Sequence, residues 1–269
     1  MYGYGFGYNV GSKVSGGVPI DPAVQTFADN NGISNQQEIN ALNALYVGMN
    51  NVITNHGTGT INYLNGMSPT SLAAAKEAII YGAGNQTAKA HGGHRPSHSS
   101  NGIQYNGLTN YWDIGGIQNN KAWNELLLGF SRTNTITVAG VSMGVNHLGA
   151  IQIFPRFSGS NSGYALAANY TAFSMGGPGN YIGYNNGTTM GIWVNGTFQT
   201  PTSTIAPITT LSGTNDFYLG ARNNNGTDAS HVDERIAAVV LLWDGGTPFT
   251  QTEIETIDQL LWNYNQNVV

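Results

Sequence analysis

The chain has 269 residues and a formal net charge of −5, with charged residues at only 9%, against about 25% in an ordinary soluble domain. Its nine Lys and Arg are scattered, which excludes the clustered basic footprint that nucleic acid requires. With no Cys, a disulfide framework and a thiolate metal site are excluded as well.

The 37 glycines suit an all-β protein with many tight turns. The surface must be polar through Asn, Thr, Ser and Gln. No run approaches the ~20 apolar residues of a membrane helix, so membrane insertion is not expected. The opening residues, MYGYGFGYNVGSK, lack the basic and apolar regions of a signal peptide.

In chain order, residues 1–20 form an arm. Glycine alternates with Tyr2, Tyr4, Phe6 and Tyr8, and the tract then becomes purely flexible. Such a tract cannot bury a core of its own. It is either a solvated tail or an anchor that docks its rings on a neighbouring subunit, since aromatics are favoured at interface cores.

Residues 21–85 are expected to form a helical module. Asp21 caps a first helix, with Pro22 at its first position and Gly32 at its end. Ser34 with Gln37 reads as a capping box for a second helix. Ile39, Leu42, Leu45, Tyr46, Met49, Val52 and Ile53 then form an apolar stripe that ends near Gly57. A third helix is expected from Ser68 and Pro69 through Leu72, Ala75, Ile79 and Ile80.

Residues 86–269 are expected to form a β-sandwich with a terminal helix, after an irregular entry up to residue 100. Strands are predicted at 102–105, 111–114, 125–132, 136–145, 150–157, 163–169, 181–184, 190–194, 197–200, 217–221 and 236–243. Short strands with a turn signal every 8–12 residues argue for two packed sheets. Asn195 and Gly196 are the strongest hairpin signal, because both central positions of a type I′ turn need positive φ. That turn makes Trp193 and Phe198 cross-strand neighbours. After a turn at Gly245 and Gly246, Thr250 with Glu253 makes a capping box. Ile254, Ile257, Leu260, Leu261 and Tyr264 share one face of the helix that follows.

The segment 215–262 resembles the closing segment of concanavalin A-like, laminin G-like jelly rolls. There an "F-[YI]-[LI]-G-[AG]-R" strand, an apolar strand ending in Trp or Tyr, and a "T-x-x-E" helix follow in that order. Residues 21–45, DPAVQTFADNNGISNQQEINALNAL, look like the start of a bacteriophage structural protein type. That likeness continues in Lys76 to Tyr81, in His98 to Tyr111 (HSSNGIQYNGLTNY) and in Gly129 to Asn134 (GFSRTN). It covers roughly residues 20–265. It departs at NVITNHGTGTINYLNG, where the family usually has a Trp/Lys-rich segment, and at YGAGNQT, where the family has YPFVGG. The resemblance implies a virion-associated role, in the tail or as a capsid appendage, and implies no substrate.

Chemistry finds little foothold. The jelly-roll glucanases carry carboxylates at period 2 on one strand, and no such motif occurs here. Asp228, Asp233 and Glu234 lie in a loop or strand start, and Glu253, Glu255 and Asp258 on the terminal helix. No catalytic residue, cofactor or metal site is assigned. His91, His94 and His98 read either as a metal site or as a polar linker, and no carboxylate stands near them. Residues 223–228 read as a calcium loop or a surface turn; one carboxylate is too few for a tight site.

Tyr181, Tyr184 and Trp193 are the candidate carbohydrate-binding platform, the competing reading being that each ring belongs to the core. The expectation is therefore a non-enzymatic virion structural protein, homo-oligomeric, contacting other virion proteins and, through the sandwich, a host-surface glycan. It would be assembled in the bacterial host cytoplasm. The alternatives are a stand-alone lectin-like module and a polysaccharide hydrolase.

Overall fold

The computed structural model describes residues 19–81, 89–90, 96–116, 125–146, 150–157, 161–166, 169–173, 177–185, 190–199, 216–224 and 227–268. The arm residues Tyr2, Tyr4, Phe6 and Tyr8, together with His91 and His94, lie outside them.

Helix α1 (Pro22–Asn31) starts as expected. The Asp21 side chain accepts from the Ala23 N–H, and Gly32 closes the helix in the left-handed region. Helix α2 (Gln36–His56) is capped by Asn35, whose side chain accepts from the Gln37 and Glu38 N–H groups. The expected Ser34 box is thus displaced by one residue, with Asn35 satisfying two of the orphan amides at the helix start. Helix α3 covers only Leu72–Lys76, with Ser71 as its cap. Helix α4 (Gln251–Val268) carries the predicted Thr250–Glu253 box, closed in both directions.

Among the described residues the strands form two sheets. The first runs β14 (Thr197–Gln199), β13 (Met190–Val194), β12 (Gly179–Asn185), β7 (Leu126–Arg132), β18 (Arg235–Trp243), β1 (Thr60–Asn65), β2 (Ile80–Tyr81). On this sheet β5 (Gly102–Gln104) also pairs with β18, and β4 (Ser97–Ser99) with β5. The second runs β11 (Asn169–Phe173), β10 (Asn161–Leu166), β9 (Ala150–Phe157), β8 (Met143–Asn146), β15 (Asp216–Leu219), β6 (Trp112–Gly116), β3 (Lys89–Ala90). There β16 (Arg222–Asn224) runs parallel to β8 and pairs with β17 (Thr227–Ala229). The other described pairings are antiparallel. The fold is a mainly-β antiparallel jelly-roll-like sandwich with N-terminal helices and a C-terminal helix.

Strand β18 shows why its apolar run does not alternate with polar residues. Ile236, Val239, Leu241 and Trp243 pack between the two sheets. Ala238, Val240 and Leu242 pack against the helices on the other face. A strand covered on both faces reads as continuously apolar. Strand β7 behaves likewise: Leu126, Leu128 and Phe130 face the second sheet, and Leu127 faces the helices. Gly129 lets the helical layer approach, since a Cβ there would lie 2.9 Å from Val240 and 3.3 Å from Leu261.

Three expectations need correction. Residues 21–85 are not helical throughout: β1 pairs with β18 inside the first sheet, and β2 pairs with β1 at its end. A bulge between Ile61 and Tyr63 disguises its period-2 pattern. The third helix stops at Lys76, because Ile79 donates its N–H to the Leu64 carbonyl and the chain joins the sheet edge. The strand expected at 136–145 forms only over Met143–Asn146.

Candidate functional site

The covered face of the first sheet decides what the predicted sugar platform does. Strand alternation sends Tyr184 and Trp193 to the helical side and Tyr181 to the inter-sheet side. All three rings are buried, at 2%, 5% and 1% exposure. The Trp193 indole N–H donates to Gln251 on α4 at 3.1 Å. The Tyr184 hydroxyl donates to Asp244 and accepts from the Phe249 N–H at 2.8 Å. The platform reading of these residues is corrected: an open sandwich would show Tyr184 and Trp193 to solvent, but here the helical layer lies over them, while Tyr181 is packed between the sheets. The Trp193–Phe198 neighbourhood is present, with ring centroids 5.1 Å apart and Phe198 40% exposed on the edge strand.

A second network ties the helical layer to the sandwich. His56, at the end of α2, holds Glu253 at 3.0 Å through one ring nitrogen and meets the Asp244 carbonyl at 3.0 Å with the other. Burial pushes Asp244 above the ordinary carboxylate range, against the pull of Tyr184 and the Gly246 N–H. Asp258 on α4 is pushed up to about 6 by burial, against hydrogen bonds from Asn180 and the Gly196 N–H.

The most chemically loaded cluster lies inside the sandwich. Arg132 takes the inward parity after Phe130 and is fully buried. Its guanidinium sits 4.3 Å from the Tyr181 ring centroid and donates to the Tyr181 hydroxyl and the Gly177 carbonyl. Glu234, fully buried just before β18, lies 3.9 Å from Arg132 and accepts from the Ser142 hydroxyl at 2.6 Å. Its other oxygen has no hydrogen-bond partner. Burial pushes Glu234 up to about 7, against the attraction of Arg132 and the Ser142 bond. Sequence reasoning noticed Glu234 as an acid but not Arg132 as its partner. The one available signal was a charge at an inward position of an otherwise apolar strand.

Other described acids are occupied locally, Glu255 among them, which accepts from Gln251 at 2.7 Å. Asp233 accepts from the backbone N–H groups of Thr137 and Val138 at 2.8 and 2.7 Å and from the Thr137 hydroxyl. Glu38, buried on α2, accepts from Ser68 and Thr70. Of the histidines, His98 lies in β4 and bonds the Ser68 carbonyl at 2.7 Å. Among the described residues no group of three or more His, Asp or Glu stands ready to hold a metal. In the segment 223–228, β16 and β17 pair antiparallel, Asn224 opposite Thr227, and residues 225–226 lie outside the described residues.

An open groove of about 560 Å³ runs along α1, between it and residues 77–79. Ala23, Thr26, Phe27 and Asn30 line one wall, and Glu77, Ala78 and Ile79 the other.

No family model matches the chain, and no characterised protein matches it in sequence. Among solved structures, domain 4 of AbnA, a GH43 extracellular arabinanase from Geobacillus stearothermophilus in complex with arabinotriose, is similar. Its TM-score is 0.48 and its identity 10%, over 75% of this chain and 100% of that one. The native heptameric SAP-like pentraxin from Limulus polyphemus follows at 0.40 and 13%, over 54% of this chain and 74% of that one. A mutant Trypanosoma rangeli sialidase displaying trans-sialidase activity stands at 0.37 and 10%, over 82% and 38%. All three likenesses are distant, each below a TM-score of 0.5, and they assign the chain no role.

Proposed function

We propose that the chain is a non-enzymatic structural component of a bacteriophage particle, present in several copies. In this reading its N-terminal arm and helical layer form the attachment side, and the second sheet faces outward. The observation that carries the reading is the closed outer face of the first sheet. Helices α2 and α4 seal Leu127, Ile182, Tyr184, Trp193, Val240 and Leu242, and the chain enters that same layer at Pro19, whose carbonyl accepts from Asn43. The described chain therefore begins on the helical side. The deployment of Glu38, Asp233, Glu234 and Asp244 in local bonding supports a role without hydrolysis. Contact with a host-surface glycan, as an added role, falls to the second sheet and its loops, since Tyr181, Tyr184 and Trp193 are packed inside.

Light scattering on the full chain, beside a variant with Tyr2, Tyr4, Phe6 and Tyr8 all changed to Ser, tests this. The expected result is a multimer that the variant loses, with no glycan on an array bound tighter than about 1 mM. A monomeric full chain with sub-millimolar glycan binding replaces the reading with a stand-alone lectin. Release of reducing sugar from a polysaccharide replaces it with a hydrolase.

A further inference from the structure

We propose that the groove between α1 and residues 77–79 is the seat of the chain's own aromatic segment, residues 2–8. This rests on the reading of the arm as an attachment element and names the surface that receives it. Three observations converge on that occupant.

The first is position. The described chain begins at Pro19, and Pro22 and Ala23 already line the groove. The ten residues 9–18 reach roughly 35 Å when extended, so the segment is tethered within range of the groove on its own molecule and on an adjacent copy.

The second is chemistry. The groove offers apolar surface on both walls, from Phe27 and from Ala78 and Ile79, and polar groups in Thr26 and Asn30. A tyrosine asks for that combination, an apolar surface for the ring and a polar partner for the hydroxyl. The volume of about 560 Å³ falls in the ~300–1,000 Å³ range of compact ligand sites.

The third is geometry. Residues 77–79 run into β2, which ends its sheet's path among the described residues. An extended segment suits a sheet end of this kind. In an extended segment Tyr2, Tyr4, Phe6 and Tyr8 all point to one face, and glycines 3, 5 and 7 leave no side chain to hold the backbone off.

The chain has no cysteine, so a disulfide can be placed without background. Gly5→Cys combined with Thr26→Cys, in the groove, leaves all four rings in place. Gly5→Cys combined with Gln25→Cys, exposed on the same helix and outside the groove, is the control for random encounter. The groove pair is expected to oxidise at least about tenfold faster than the control, as local effective concentration requires. Ala23→Trp, which fills the groove, should remove the difference.

A link between two chains supports both this assignment and the oligomeric reading. A link within one chain supports the groove and overturns the arm as the contact between copies. Equal rates for the two pairs, or a rate indifferent to Ala23→Trp, overturn the groove. Light scattering on the same samples then shows whether the oligomer survives without it.

Discussion

Replacing Glu234 by glutamine isolates the cost of keeping one carboxylate inside the sandwich. Glu234 is fully buried and is pushed up to about 7 from an ordinary 4.5, chiefly by desolvation, with Arg132 and Ser142 pulling the other way. The folded state therefore holds a proton that the unfolded chain releases between those two values. Stability from this group is fully present below pH 4.5 and is lost as the pH rises through 7. The span of about 2.5 units corresponds to about 3 kcal/mol at about 1.36 kcal/mol per unit. The glutamine of Glu234→Gln mimics the protonated acid and keeps an oxygen for the Ser142 hydroxyl. Denaturant unfolding at about pH 4 and about pH 8.5 should therefore give near-equal stabilities for the two proteins at the lower pH. At the higher pH the variant should be ahead by about 3 kcal/mol. The opposite sign refutes the reasoning. If the variant instead loses about 3–5 kcal/mol at the higher pH, the ion pair with Arg132 outweighs desolvation and its removal strands a buried charge.

Trp193→Ala should cost about 3–5 kcal/mol, or ~10 °C in Tm by calorimetry, because the ring fills the interface between β13 and the helical layer. An unchanged Tm would return Trp193 to the surface. Gly220→Ala should destabilise by about 3 kcal/mol in chemical denaturation, since φ is +78° and a Cβ would stand 2.1 Å from the Tyr105 ring. Asn195→Ala should cost about 1–2 kcal/mol: it forces alanine to φ 51° and removes the acceptor of the Asn180 N–H. Thr250→Ala should cost about 1 kcal/mol and fray the start of α4, read as faster amide exchange at Glu253 and Ile254.

The sequence determined what is local. Asp21 and Pro22 open α1, Gly32 and Gly57 close α1 and α2, and Thr250 with Glu253 opens α4. Asn195 and Gly196 turn the β13–β14 hairpin with φ of 51° and 74°. In each case the signal and its partner lie within a few residues, so side-chain chemistry alone settles the geometry. Tertiary structure decided what depends on remote partners. Strand β1 owes its place to β18, near the far end of the chain, and its bulge hides the pattern that would betray it. Tyr184 and Trp193 became core only because α2 and α4 cover their face; the alternation that fixes which side a ring takes does not say whether that side meets water or a helix. Arg132 and Glu234 meet by the same rule: distant in sequence, they share an interior that neither neighbourhood announces.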